Sequence, residues 1–171
     1  MLGAWPQAVY GDDSVRLGPH DVRTVFYIAK SRNSVQVHYG LRLDIACRPV
    51  GSSPVFAYWS RARPTGREAA RLDGVARRLY GVSDKQKVQV GSTGGRVQMH
   101  VRALESVVVD IQISRTARGC VAVPTTTISG ERAQLQSAYL KVGRLGLNVE
   151  YVDVIGSRIT NGARVVQRIR S

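Results

Sequence analysis

The chain has 171 residues, 43 % of them apolar, and its 25 Lys and Arg against 12 Asp and Glu give a net charge of +13. This is the length of one domain with enough apolar residues for a core, which excludes bulk disorder and a multidomain chain. No apolar run approaches the ~18–20 residues of a membrane-spanning helix, and neither a heptad pattern nor a cysteine framework occurs, so a membrane-embedded protein, a coiled coil and a disulfide scaffold are excluded as well.

Residues 1–20 carry Trp5, Pro6, Tyr10, Gly11, Gly18 and Pro19 without a clean period. They predict a non-regular N-terminal arm lying against the body, and 21–171 then reads as a single antiparallel β domain. Its first strand is the β-branched and aromatic run 22–30, followed by a turn cluster at 31–34. Residues 35–43 alternate, with Val35, Val37, Tyr39, Leu41 and Leu43 on one face and Gln36, His38, Gly40 and Arg42 on the other. That is the pattern of a half-buried strand. A loop over 44–54 leads to a strand at 55–60.

The spacing then predicts one amphipathic helix over 65–80. Thr65 and Glu68 have the form of a capping box, and Ala69, Leu72, Val75, Ala76 and Leu79 fall on one arc opposite Arg67, Arg71 and Arg78. Leu72 and Leu79 are expected inward, and Gly81 stands where a left-handed cap belongs. Beyond it, 85–90 and 96–104 form a hairpin across Gly91–Gly95. A phosphate-loop reading fails there because an alternating strand follows where a helix is required. Strands at 106–114, 120–128, 134–142 and 147–155 follow, and Asn161-Gly162 carries the signal of a type I′ turn into a last strand at 163–169. Nine or ten strands joined by short turns argue for antiparallel pairing. The predicted fold class is mainly β, an antiparallel barrel or two-layer sandwich with one helix.

The positive charge is mostly arginine, 21 Arg against 4 Lys. GC-rich coding accounts for Arg in place of Lys, but not for the shortage of acids, and the excess favours an acidic macromolecule or polyanion as partner. Two rows are candidates for that contact: Arg67, Arg71 and Arg78 on the helix, and Arg164, Arg168 and Arg170 on the last strand. His38, His100, Asp110 and Gln112 fall on strand faces opposite the apolar residues. They are solvated, or they line a polar pocket if the sheet curls inward. No His or Cys cluster has ligand spacing, so neither a metal nor a cofactor is expected. No nucleophile-and-base set can be assembled, which leaves enzyme activity uncertain, leaning towards none. Aromatic residues sit in strands that read as core, so the nucleic-acid reading rests on charge alone. Cys47 and Cys120 read as two buried thiols; if they paired, the bridge would contribute roughly 4 kcal/mol. The start lacks the basic and apolar regions of a signal peptide, and the default expectation is a cytoplasmic protein.

Several segments together resemble a known family. Phe26-Tyr27-Ile28, Ser31, Asn33, Val37 and Tyr39 form one motif, and Tyr58-Trp59, Tyr80-Gly81-Val82, Tyr151, Gly156 and Gly162 form later ones. The pattern is similar to the bacterial family catalogued as domain of unknown function 4833, over roughly 22–170, with Val152-Asp153 where Ile-Glu is usual. These are core and turn residues, so the resemblance implies a fold and no chemistry. It also implies export (periplasmic or secreted) as the alternative to the cytoplasm. Three function classes stay open: a non-enzymatic binding module whose arginine-rich surface meets an acidic partner, a structural or assembly subunit (an oligomer) that reaches its neighbour with the arm, and an enzyme or small-ligand binder using the polar strand face.

Overall fold

A computed structural model describes residues 15–64, 66–145 and 148–171. The predicted arm therefore lies outside the described residues up to position 14, and residues 15–20 are non-regular. Eleven strands follow: β1 (Val22–Lys30), β2 (Asn33–Leu41), β3 (Val55–Arg63), β4 (Gly66–Arg71), β5 (Lys87–Val90), β6 (Gly95–His100), β7 (Val108–Thr116), β8 (Gly119–Ile128), β9 (Glu131–Val142), β10 (Val149–Arg158) and β11 (Arg164–Arg170). One α-helix, α1 (Gly74–Tyr80), lies between β4 and β5, and a single 3-10 turn spans Arg102–Leu104.

The strands make one curled sheet in the order β4-β3-β2-β1-β9-β8-β7-β6-β5, with β10 and β11 added beyond β9. Strand β9 is the branch point. Its first half pairs with β8 (Thr125↔Gln134 to Ile128↔Glu131), and its second half pairs with β1 (Tyr27↔Ser137 to Lys30↔Leu140). Both use the same edge of β9, while β10 takes the other. The sheet thus forks into a β1–β4 half and a β5–β8 half. The β1–β9 pairing is parallel, which corrects the expectation of a wholly antiparallel sheet; β1 and β9 are far enough apart in sequence for a parallel connection.

The inner faces of the two halves form one core. Phe26, Ile28, Val37, Tyr39 and Leu41 come from β1 and β2, and Val97, Met99, Val109, Ile111 and Ile113 from β6 and β7. Phe26 and Tyr39 stack at 4.5 Å, and the Tyr39 hydroxyl donates to the Tyr80 carbonyl at 2.7 Å. Burial of that phenol raises its pKa well above the usual value, so it stays a donor.

The predicted helix over 65–80 is replaced by a strand and a shorter helix. Thr65 lies outside the described residues, and 66–71 pairs with β3 from Arg63↔Gly66 to Tyr58↔Arg71. Local helical spacing loses here to the ladder hydrogen bonds that β3 offers. The helix starts only at Asp73, whose Oδ1 accepts the Ala76 N–H at 3.0 Å. Leu72 is buried, but Leu79 is 52 % exposed and Tyr80 faces inward in its place. Gly81 is not a left-handed cap, because its φ is −63°. It is glycine for another reason: a Cβ there would run into the Arg77 carbonyl.

Cys47 and Cys120 form a disulfide, which overturns the reading of two free thiols. Cys47 sits in the loop after β2 and Cys120 on β8, so the bridge ties one half of the fork to the other. The same loop receives a hydrogen bond from Gly94 N–H to the Ala46 carbonyl at 3.0 Å. Asn161-Gly162 does turn the chain, but not as a two-residue type I′ turn. Arg158 pairs with Ala163, leaving a four-residue loop in which Gly162 takes a φ of 71° and the Asn161 side chain accepts from Ala163 N–H.

A candidate anion-binding cleft

Five arginines line one cleft of about 410 Å³. Arg16 precedes β1, Arg42 follows β2, Arg71 ends β4, Arg77 lies on α1, and Arg102 opens the 3-10 turn. The floor is apolar, with Val55, Phe56 and Ala57 from β3 together with Leu72 and Val82. The two halves of the sheet meet here. The isolated bridge Val82↔Val101 and the bond from Arg102 N–H to the Gly81 carbonyl join the end of α1 to the end of β6. Gln86 clamps the rim by accepting from Val55 N–H and donating to the Val55 carbonyl, each at 3.0 Å.

Two of the guanidiniums are held by contacts that leave their charge unpaired. Arg42 lies 4.8 Å over the Phe56 ring, a cation–π contact that fixes the group without neutralising it. Arg77 donates to the Leu72 carbonyl at 3.3 Å. Among the described residues the one carboxylate lining the cleft is Asp84; it meets Arg102 at 3.3 Å, and its side chain is 91 % exposed, so water screens the pair. Arg16, Arg42, Arg71 and Arg77 enter no ion pair among the described residues. Such a set presents forked donors above an apolar floor, which is the chemistry that receives phosphate or carboxylate groups.

The predicted helix row contributes Arg71 to this cleft. Arg78 is exposed on α1 and does not line this cleft, and the side chain of Arg67 lies outside what is described. Arg164, Arg168 and Arg170 share the exposed side of β11. Arg168 is committed there: it holds Asp153 through two bonds of 2.7 and 2.8 Å and lies 3.8 Å over the Tyr151 ring. The hydrogen bonds from Arg168 lower the Asp153 pKa and raise its own.

The four polar-face candidates are divided between the two halves of the fork. His38 is buried on the outer side of β2, stacked between Tyr27 at 5.6 Å and Tyr58 at 5.5 Å, with Thr24 Oγ1 2.9 Å from its Nδ1 and Gln36 Oε1 3.1 Å from its Nε2. His100, Asp110 and Gln112 lie on the outer side of β6 and β7. Asp110 is held by Arg96 through two bonds, with Arg132 3.9 Å away. The Arg96 bonds draw its pKa below the usual carboxylate value. Gln112 donates to the Gly95 carbonyl at 3.4 Å. None of the four lines the arginine cleft.

Sequence reasoning missed Arg16, Arg42, Arg77 and Arg102. They come from separate segments that only the tertiary fold brings together, so no spacing in the chain could have grouped them. No group of three or more His, Cys, Asp or Glu among the described residues has the placement of a metal site. No curated protein and no solved structure is significantly similar to the chain. Residues 26–168 match the family described as Domain of unknown function (DUF4833). The match takes in β2–β10 and most of β1 and β11, including the core and four of the five cleft arginines, and the chain belongs to that family.

Proposed function

We propose that the protein is a non-enzymatic binding module whose arginine cleft receives the phosphate or carboxylate groups of an acidic partner. The observation that carries this reading is five guanidiniums around one cleft against, among the described residues, one solvent-screened carboxylate. The apolar floor adds to it, since field lines concentrate where low-dielectric walls flank charge of one sign. The disulfide supports work in an oxidising compartment, where such bridges persist, and hence the exported alternative over the cytoplasmic one.

Binding to heparin or to an oligophosphate, followed by calorimetry at two salt concentrations, tests the proposal. Affinity should fall steeply between about 50 and 200 mM salt as counterions are exchanged. Arg71→Gln combined with Arg102→Gln should abolish most of that dependence, while Arg164→Gln combined with Arg170→Gln should leave it in place. Absence of binding at low salt, or loss through the β11 pair alone, overturns the assignment to the cleft.

A further inference from the structure

A second, smaller hollow of about 220 Å³ shares Leu72 with the arginine cleft. Its walls are Val35 and Val37 of β2, Trp59 of β3, and Leu72 and Ala76 at the start of α1. Two cations enter this apolar slot, Lys30 at the end of β1 and Arg61 near the end of β3. Arg61 stands opposite Val35 in the sheet, and Trp59 stands opposite Val37. By the two-residue alternation of β3, Arg61 therefore continues the inward row of Val55, Ala57 and Trp59. Its charge is placed where a further core residue would be.

Glu68 stands opposite Arg61 in the sheet, and its carboxylate is taken by Arg63 at 2.8 Å. No ion pair among the described residues includes Lys30 or Arg61. The Lys30 ammonium rests 4.6 Å from the centre of the Tyr80 ring. The Arg61 Nε is buried and has no hydrogen-bond partner. The acid nearest in effect to Lys30 is Asp73, and its carboxylate is already engaged in capping α1. Both side chains are half-buried, and partial desolvation penalises the charged form of a group without an ion-pair partner. Burial lowers the Lys30 pKa accordingly, and Asp73 opposes that only in part.

We infer that this slot is a binding site for a small carboxylate with a flat apolar body. The carboxylate oxygens would accept from the Arg61 guanidinium and the Lys30 ammonium, and the body would lie against Trp59 between the valines and Leu72. The volume falls below the about 300–1,000 Å³ of pockets for drug-sized ligands, which limits the body to about one ring. The site is independent of the arginine cleft, since the cations differ and only Leu72 is common to both.

The probes are benzoate and cyclohexanecarboxylate, each against its neutral carboxamide. The chain has two tryptophans, so in a Trp5→Phe background Trp59 fluorescence reports on the slot alone. Benzoate should change that signal saturably, and benzamide should bind about tenfold more weakly or worse, as expected for loss of charge-assisted hydrogen bonds. Lys30→Met and Arg61→Met should each weaken benzoate by about tenfold, and Arg71→Gln should have no effect. A second measurement on the unaltered chain does not depend on the variants folding. Benzoate should protect Lys30, but not Lys85, Lys87 or Lys141, from amine acetylation read by mass spectrometry. The inference is overturned by equal affinity for benzoate and benzamide. It is equally overturned by uniform labelling of the four lysines with ligand present, or by the absence of saturation at about 10 mM, above the millimolar Kd of a minimal site.

Discussion

Opening the Cys47–Cys120 bridge, by reduction or by replacing both residues with Ala, should destabilise the protein by about 4 kcal/mol. The bridge closes a loop with a sequence separation of 73 residues, and the chain-entropy relation for that length gives about 4 kcal/mol at 25 °C. That is a large part of the about 5–15 kcal/mol by which domains of this kind are stable. In a chain of this size each kcal/mol moves the midpoint by about 2–4 °C, so the melting temperature should fall by about ten degrees. Thermal and urea unfolding followed by circular dichroism, with and without reductant, reads both quantities. The urea m-value should rise on reduction, because the freed denatured chain exposes more surface. A change in melting temperature below about 2 °C would refute the reasoning. It would mean that the loop after β2 stays docked on the β5–β8 half through its other contacts, such as the Gly94–Ala46 bond, and that the bridge adds no constraint.

Three further outcomes can be checked by the same unfolding assays. Leu72→Ala should cost about 2–5 kcal/mol as a buried truncation, whereas Leu79→Ala, at an exposed site, should change stability by less than about 0.5 kcal/mol. Gly40→Ala should cost about 1–3 kcal/mol, since its Cβ would stand 2.5 Å from the Phe56 ring and 2.9 Å from the Arg23 carbonyl; Phe56→Ala in the same chain should recover part of the loss. Asp110 and Asp153 have folded-state pKa values depressed by their arginines, so their contribution is present above the unfolded carboxylate pKa and is lost as pH falls through the folded one. Stability should therefore drop below about pH 4, and Asp110→Asn should flatten that acid limb; an unchanged limb would assign it to other groups.

The strands were legible because one face of each is buried, and period-two alternation survives wherever that holds. The predicted 22–30 coincides with β1, and the inward set Val37, Tyr39 and Leu41 of β2 lies in the core. Family membership was legible for the same reason, since its motifs are core and turn residues. The stretch after β3 misled because its apolar residues fit a helical arc, although pairing with β3 claims 66–71 and leaves Val75 71 % exposed. The disulfide could not be read because two cysteines 73 residues apart carry no local sign of whether they pair or stay as buried thiols. The cleft could not be read because its arginines belong to five segments with no local pattern in common.

The fork at β9 sets an order on how this chain can fold. The Val142 N–H donates to the Ser31 Oγ 111 residues earlier in the chain, at 2.9 Å. Neither β1 nor β8 can fill its inner edge until β9 has left the ribosome. From the end of β1 onward the nascent chain therefore carries one unpaired strand edge, and β8 adds a second shortly before β9 follows; such edges are the kind of surface on which chains associate wrongly. Closure across so long a separation is intrinsically slow. Cys120, by contrast, emerges before β9 does. Once oxidised, the bridge holds the two arms of the fork near each other while the strand that will join them is still being made, so the rate of oxidation should govern how much of the newly made protein reaches the native sheet.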